Sequence, residues 1–148
     1  MPTIPVETQD VKDFGRTYIS ISALNVAAVG TEALVSFIAN KGGTNLAAST
    51  SYTVSNGKTF RITGFYVYPH SASRITIYRV RSGNPVVVTS PVLYGGCVDM
   101  FNSGNQKLEA PFPEGIEVNS GQQVGITHGG IGNISGCLED ITLIGFEY

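Results

Sequence analysis

Short strand-like runs, each ended by turn residues, follow one another along almost the whole chain. Tyr18 to Ala23 alternates hydroxyl-bearing and apolar side chains, which is the two-residue period of a half-buried β-strand. Turn signals recur about every 8–12 residues, without the βαβ alternation of a parallel sheet. No repeat of fixed period indicates a propeller or a solenoid. The sequence therefore predicts an all-β fold, an antiparallel β-sandwich that is jelly-roll-like.

The strongest hairpin signal lies at Asn56-Gly57. Strand-like runs flank this pair, with Tyr52 to Ser55 before it and Lys58 to Ile62 after it. Asn-Gly between two such runs favours a type I′ turn, because both residues tolerate positive φ. We therefore predict that the two runs pair as a hairpin.

Glycines in two of the strands mark predicted β-bulges. The residues expected to face inward after this turn fall into two sets of opposite parity: Phe60 with Ile62, then Phe65 with Val67. A bulge at Gly64 would shift the register by one residue and resolve the conflict. A second bulge at Gly145 would bring Phe146 into the core beside Ile141 and Leu143.

Further strand candidates complete the predicted sandwich. Val86 to Val88 lies between two prolines, which predicts a short strand or a sheet edge. Thr31 to Asn40 suits a strand or a short helix, and the Gly42-Gly43 turn favours the strand. The other candidates are residues 74–80, 92–93, 108–112, 116–118, 122–127 and 138–148.

Charged residues are scarce in this chain of 148 residues. They make up 14% of it, and the formal net charge is −2. The low charge indicates that part of the surface is covered in an assembly, while the acidic balance argues against nucleic-acid binding by phosphate neutralisation. No apolar run is long enough to cross a bilayer, and the N-terminus does not look like a signal peptide. We expect a protein made in a cytoplasm, with no membrane partner.

Residues 1–15 differ in composition from residues 16–148, which are predicted to form one domain. Pro2 and Pro5 oppose both helix and interior strand. The apolar residues of this segment have no clear period: Ile4, Val6, Val11 and Phe14. Such a composition predicts an extended N-terminal arm that lies on its own domain or on a neighbour, and these four residues are the candidate contacts. An ordinary frayed terminus is the alternative.

No recognisable pattern of catalytic or metal-binding residues is present. His70 and His128 are far apart, and neither has a second metal ligand at a usual spacing. No Gly-x-Ser-x-Gly motif occurs. Glu139 and Asp140 are adjacent, so on a strand they would point to opposite faces, and turn positions explain both. The glycine-rich run at 129–136 has no following helix and predicts a flexible loop. We expect no enzyme activity, no metal and no cofactor.

The two cysteines leave two possibilities open. Cys97 and Cys137 can form one disulfide, or they can be two small buried residues. Without a secretory signal, the second interpretation, buried free thiols, is favoured.

One group of residues is a candidate binding surface. Tyrosines and arginines fall on two neighbouring predicted strands, and we call them the tyrosine–arginine patch: Tyr66, Tyr68 and Tyr78, with Arg61, Arg74, Arg79 and Arg81. Aromatic and arginine side chains on a sheet can anchor a protein interface or stack on sugars. A solvated outer face of cross-strand pairs is the simpler interpretation. If the patch binds, a protein fits the acidic balance better than a nucleic acid does.

Several turn-and-strand motifs resemble those of a known group of proteins. The motifs are Thr31-Glu32-Ala33-Leu34, then Tyr52 to Ile62 including Asn56-Gly57-Lys58-Thr59-Phe60-Arg61, then Pro113 to Val118 and Gly121 to Ile126. Over residues 31–126 the chain resembles small β-rich virion proteins of tailed bacteriophages, especially the capsid cement or decoration proteins of cyanophage-like viruses.

The resemblance implies a function as well as a fold. It implies a virion protein that forms a homo-oligomer, with a trimer expected, and sits on the major capsid protein at symmetry axes, where it resists internal pressure. The N-terminal arm would then reach a neighbouring subunit. A carbohydrate-binding or receptor-binding jelly roll of a phage tail or fibre is the alternative.

Overall fold

The computed structural model of the chain describes residues 15–71, 75–99, 107–131 and 138–148. These residues contain eleven strands and no helix. The strands are β1 (Thr17–Ala27), β2 (Ala33–Leu34), β3 (Ile38–Lys41), β4 (Thr44–Asn45), β5 (Tyr52–Thr53), β6 (Phe60–Ser71), β7 (Ile75–Gly83), β8 (Val92–Asp99), β9 (Leu108–Val118), β10 (Gln123–Ile131) and β11 (Leu138–Glu147). The predicted arm contacts Ile4, Val6, Val11 and Phe14 lie outside the described residues, as do Arg74 and Cys137.

The strands form two antiparallel sheets that pack face to face. One sheet has six strands in the order β4-β3-β1-β11-β6-β9. The other has the order β2-β10-β7-β8, with β5 also paired to β10. Buried apolar residues from both sheets meet in one core cluster, which confirms the predicted antiparallel β-sandwich.

Most strand pairs join segments that are distant in the sequence. β1 pairs with β11, β2 and β5 pair with β10, β6 pairs with β9, and β7 pairs with β8. Two further pairings, β11 with β6 and β10 with β7, connect these pairs within each sheet. First and last strands are therefore neighbours inside the six-stranded sheet.

The bulge predicted in β6 is confirmed. Ile62 and Gly64 pair with the adjacent residues Gly145 and Ile144 of β11, so Thr63 is the extra residue in this pairing. Ile62 and Phe65 are both fully buried on the core side of the sheet. Tyr66 and Tyr68 point to the outer side, as predicted.

The bulge predicted at Gly145 does not occur in β11. Residues of odd number stay on the core side through Glu147, and the pairing of β11 with β1 runs through Gly145 without a shift. The register shift opposite Gly145 comes from the extra residue in β6. Phe146 is buried, but on the outer side of the sheet, whereas Ile141 and Leu143 are core residues as predicted.

The predicted hairpin at Asn56-Gly57 is wrong, although the turn itself is present. Ser55 and Lys58 close the turn with a 3.0 Å backbone hydrogen bond, but only Gly57 has positive φ, which excludes type I′. The flanking strands β5 and β6 belong to different sheets. The turn that has positive φ at both central residues is Gly42-Gly43, between β3 and β4.

Four other segments differ from the prediction. Residues 31–40 form two short strands, β2 and β3, which lie in different sheets. Val86 to Val88 is a loop rather than a strand, because Ser90 and Val87 bond to each other in a tight turn. The glycine-rich run begins inside β10, which extends to Ile131. Residues 113–115, which separate the strand candidates 108–112 and 116–118, lie within β9, although the pairing of β9 with β6 is interrupted between Pro111 and Ile116.

None of the described segments is a helix long and apolar enough to span a membrane.

Candidate functional site

The outer face of the six-stranded sheet carries a set of exposed apolar and aromatic side chains. They alternate with core residues along β1, β3, β6 and β11, and we call them the aromatic face: Tyr18, Ile38, Tyr66, Tyr68, Ile144 and Phe146. Four of them are well exposed, with 59% for Tyr18, 44% for Ile38, 40% for Tyr68 and 36% for Ile144. An apolar set grouped on one face, in a chain with so few charges, is typical of a surface that contacts another molecule.

The bulge in β6 shapes this face. At Gly64 the ring of Tyr66 lies so close to the backbone that a Cβ there would meet its Cε2 atom at 2.6 Å. The ring therefore covers the glycine and lies flat against the sheet. Tyr68, two residues further on, stands beside the Lys107 ammonium group, which lies 5.7 Å from the ring centre.

Phe146 forms the floor of the same face. The Arg16 guanidinium lies 4.4 Å from the centre of the Phe146 ring, and the rings of Tyr18 and Tyr148 lie 6.1 and 5.8 Å away. Phe146 is therefore buried by side chains of its own face rather than by the core. Because these side chains cover Phe146 on the outer side of the sheet, its burial does not require a bulge at Gly145 that would turn it towards the core.

A groove of about 730 Å³ opens beside Phe146. Its walls are the beginning of β1, the Gly42-Gly43 turn and the segment Ile144 to Phe146. The backbone N–H of Gly42 donates to the carbonyl oxygen of Tyr18 at 2.8 Å, which ties the turn to β1. Arg16 is the one charged residue in the lining among the residues that the structure describes.

A surface ion pair borders the aromatic face on the side of β9. Arg61 donates to the Glu117 carboxylate, and the hydroxyl of Tyr148 donates to the same oxygen at 2.8 Å. These two bonds hold the pKa of Glu117 below its ordinary value. The guanidinium of Arg61 also lies 5.3 Å from the Tyr148 ring. The pair is exposed, so it fixes side-chain positions more than it stabilises the fold.

The predicted tyrosine–arginine patch does not form one surface. Strands β6 and β7 lie in different sheets, so Tyr66 and Tyr68 are separated from Arg79 and Arg81. Tyr78 is fully buried and points into the core, where its hydroxyl donates to the Glu139 carboxylate at 2.9 Å. The error has one cause: consecutive strands were expected to be neighbours, but the chain crosses between sheets after β6.

Arg79 and Arg81 belong instead to a polar network outside the five-stranded sheet. Both guanidinium groups donate to Glu32, at 3.0 and 2.8 Å, and Thr127 donates to the same oxygen at 2.6 Å. Arg81 is buried and donates also to the carbonyl oxygen of Ser90. Burial alone would raise the pKa of Glu32, but the bonds from Thr127, Arg81 and Arg79 lower it to about 2. The network fastens the loop around Ser90 and the segment before β2 to the sheet.

A second buried carboxylate, which the sequence analysis missed, lies at the end of β11. Glu147 accepts hydrogen bonds from the hydroxyl of Tyr52 and from the backbone N–H of Ser55, and Lys41 lies 3.5 Å away. Burial acts to raise the pKa of Glu147, but these hydrogen bonds and the positive charge lower it overall. Burial and the bond to Glu147 raise the pKa of Tyr52. Inward and outward residues alternate without interruption along β11. Extending this alternation from Ile141 and Leu143 predicts that Glu147 faces inward.

A histidine, a cysteine and two acidic residues considered in the sequence analysis lie outside these two networks. His128 lies within β10, where it is buried against the Tyr78 ring, and burial lowers its pKa. Cys97 is an exposed free thiol, so the prediction of a buried thiol is wrong for this residue. Glu139 is buried in the core and Asp140 points away from it, which confirms their opposite directions but not the turn positions. Within the described ranges, no group of three or more potential metal ligands is close enough to hold an ion.

Fold and surface together define a β-sandwich module with aromatic side chains on one outer face. No model of a known protein family matches the chain, and a search of curated proteins also finds no match.

Proposed function

We propose that the protein is a virion structural protein: a capsid cement or decoration protein that binds the major capsid protein shell as a homo-oligomer and stabilises it. The observation that carries this proposal is the aromatic face. Tyr18, Tyr68 and Ile144 are exposed on the same side of one sheet, and tyrosine is enriched in protein interfaces. Side chains on a hydrogen-bonded sheet lose less conformational entropy on binding than those on an unordered segment.

The order of the strands supports the same proposal. The order β1-β11-β6-β9 in one sheet and β2-β10-β7-β8 in the other is compatible with a jelly roll, and we propose that class for the fold. Jelly rolls are common in viral capsids and also in lectins. The fold is thus compatible with the virion role, and the aromatic face supplies the surface through which it would act.

The test is electron microscopy of the native particle that contains this chain. We expect copies of the sandwich on the outside of the capsid, related by a symmetry axis, with the aromatic face against the major capsid protein. Particles without the sandwich, or copies whose aromatic face points to solvent, would contradict the proposal.

A pair of variants sharpens this test in solution. Ile38→Lys places a charge on the aromatic face outside the groove beside Phe146, and we expect it to weaken capsid binding at least tenfold, about 1.4 kcal/mol. Val87→Lys is the matched control, because Val87 is similarly exposed on the loop outside the other sheet. Binding to purified capsids by co-sedimentation distinguishes the two. Equal losses of capsid binding in both variants would contradict a specific role of the aromatic face in that binding.

A second function, carbohydrate or receptor binding by a tail or fibre protein, is favoured by one observation. The groove beside Phe146 combines an aromatic floor with polar groups of Arg16 and Asn40, and sugars bind to such combinations of stacking and hydrogen bonding. In that case a glycan array would give a ligand, and Tyr18→Ala would abolish its binding. The capsid-binding proposal predicts no glycan affinity.

A further inference from the structure

The groove beside Phe146 lies where the described chain begins. Arg16 lines one end of the groove and stacks on Phe146, and β1 starts at the next residue. The fourteen residues that precede Gly15 therefore join the described chain next to this groove. The length of this segment and its starting point make it a candidate occupant.

The composition of the segment complements the groove. Residues 1–14 contain three acidic side chains, Glu7, Asp10 and Asp13, against one basic side chain, Lys12. In the described lining of the groove the charged side chain is the cation Arg16, and the exposed apolar wall is Ile144. An acidic segment with spaced apolar residues thus meets an apolar groove with a positive end.

We propose that the groove binds residues 1–14 of a second copy of the chain. The groove lies alongside Arg16 to Ser20, so a segment that entered the groove of its own copy would have to run back along the start of β1. The segment of a second copy needs no such reversal. Fully extended, fourteen residues reach about 46 Å. That length exceeds the diameter of about 38 Å expected for a compact domain of this size, so it is enough for the segment to extend to the groove of a second copy.

If each copy binds the N-terminal segment of another copy, the isolated protein self-associates in the absence of a capsid. The proposal deepens the proposed function, because it names the contact through which the homo-oligomer would form, and self-association is measured on the isolated protein. If the protein associates through this groove but is absent from capsids, the proposed function fails and the exchange stands.

Sedimentation velocity of the full chain and of two variants tests the exchange. We expect the full chain to be oligomeric, and we expect deletion of residues 2–14 and the substitution Ile144→Arg each to weaken association at least tenfold. Val87→Arg is the matched control and should associate like the full chain. Circular dichroism with thermal unfolding shows whether each variant is folded.

A peptide of residues 1–15, with a fluorescent label, tests the contact directly and does not depend on the oligomer. It should bind the variant that lacks residues 2–14, and Ile144→Arg in that variant should weaken binding at least tenfold. A monomeric full chain would overturn the proposal, because it would mean that the segment is free or lies on its own domain. Unchanged association after the deletion, or equal peptide binding by the Ile144→Arg variant, would also overturn it.

Discussion

Glu147 shows how a single residue can connect three parts of the sandwich. Its carboxylate accepts hydrogen bonds from Tyr52 and Ser55, in the segment that crosses between the sheets, and it faces Lys41 at the end of β3. The group is 2% exposed, so its charge is tolerated only because these partners replace water. The sequence analysis missed it, because a buried glutamate looks like any charged residue near a strand end.

We expect Glu147→Gln to destabilise the fold by about 1–3 kcal/mol at pH 7, because the amide presents N–H groups to donors and loses the charge opposite Lys41. The pKa of Glu147 is lower in the folded chain than its ordinary value, so its contribution is complete above the unfolded pKa and is lost as the pH falls through the folded pKa. The difference between wild type and variant should therefore be constant near neutral pH and shrink below about pH 4.5. Urea unfolding at several pH values measures it.

Glu117→Gln is the control for this experiment. Glu117 also has a lowered pKa, with Arg61 as its main partner, but it lies on the surface. Its replacement should change the unfolding midpoint little, because solvent screens exposed pairs. A larger effect at Glu117 than at Glu147 would contradict the importance of burial.

At the scale of the element, the six-stranded sheet depends on two glycines that face different neighbours. A Cβ at Gly145 would lie 2.2 Å from the carbonyl oxygen of Arg61, which belongs to the paired strand β6. A Cβ at Gly64 would instead meet the far end of the Tyr66 side chain. Backbone in a sheet cannot move away without breaking hydrogen bonds, whereas a tyrosine ring on the outer face can rotate.

We therefore expect Gly145→Ala to lower the free energy of unfolding by about 3 kcal/mol or more, and Gly64→Ala to lower it by about 1 kcal/mol. Thermal unfolding of the two variants gives the comparison. Gly64→Ala should also move Tyr66 off the sheet, which would be visible as a shift of the Tyr66 ring resonances. Equal destabilisation by both substitutions would mean that β6 and β11 are less closely packed than the structure shows.

Local patterns predicted the elements better than the connections between them. The parity change around Gly64 located the bulge, because alternation reports which side of a strand is buried. The turn at Asn56-Gly57 was also located, but a turn motif does not say whether the next strand returns to the same sheet. That choice depends on contacts between residues distant in sequence, such as Tyr52 with Glu147. The aromatic face was found in part: Tyr66 and Tyr68 were predicted to face outward.

At the scale of the molecule, β1 and β11, the first and last strands of the described chain, pair with each other in the six-stranded sheet. Thr17 pairs with Glu147 at one end of the β1–β11 ladder, and Ala27 pairs with Leu138 at the other. β11 also pairs with β6 over its whole length. The core of the six-stranded sheet is therefore not closed until the last strand is in place, and most of its contacts join residues distant in sequence. Such a topology is expected to fold slowly.

Removal of residues 138–148 should therefore abolish the fold rather than shorten it. Without β11, the backbone groups of β1 and β6 that face it lose their hydrogen bonds, and Ile141 and Leu143 leave a gap in the core. We expect no cooperative thermal transition and poor dispersion of amide resonances. Deletion of residues 2–14 is the control, since it should leave a cooperative transition close to that of the full chain. A cooperative transition in the chain without β11 would show that the sandwich does not need its last strand, and that the pairing of β1 with β11 forms after the core rather than with it.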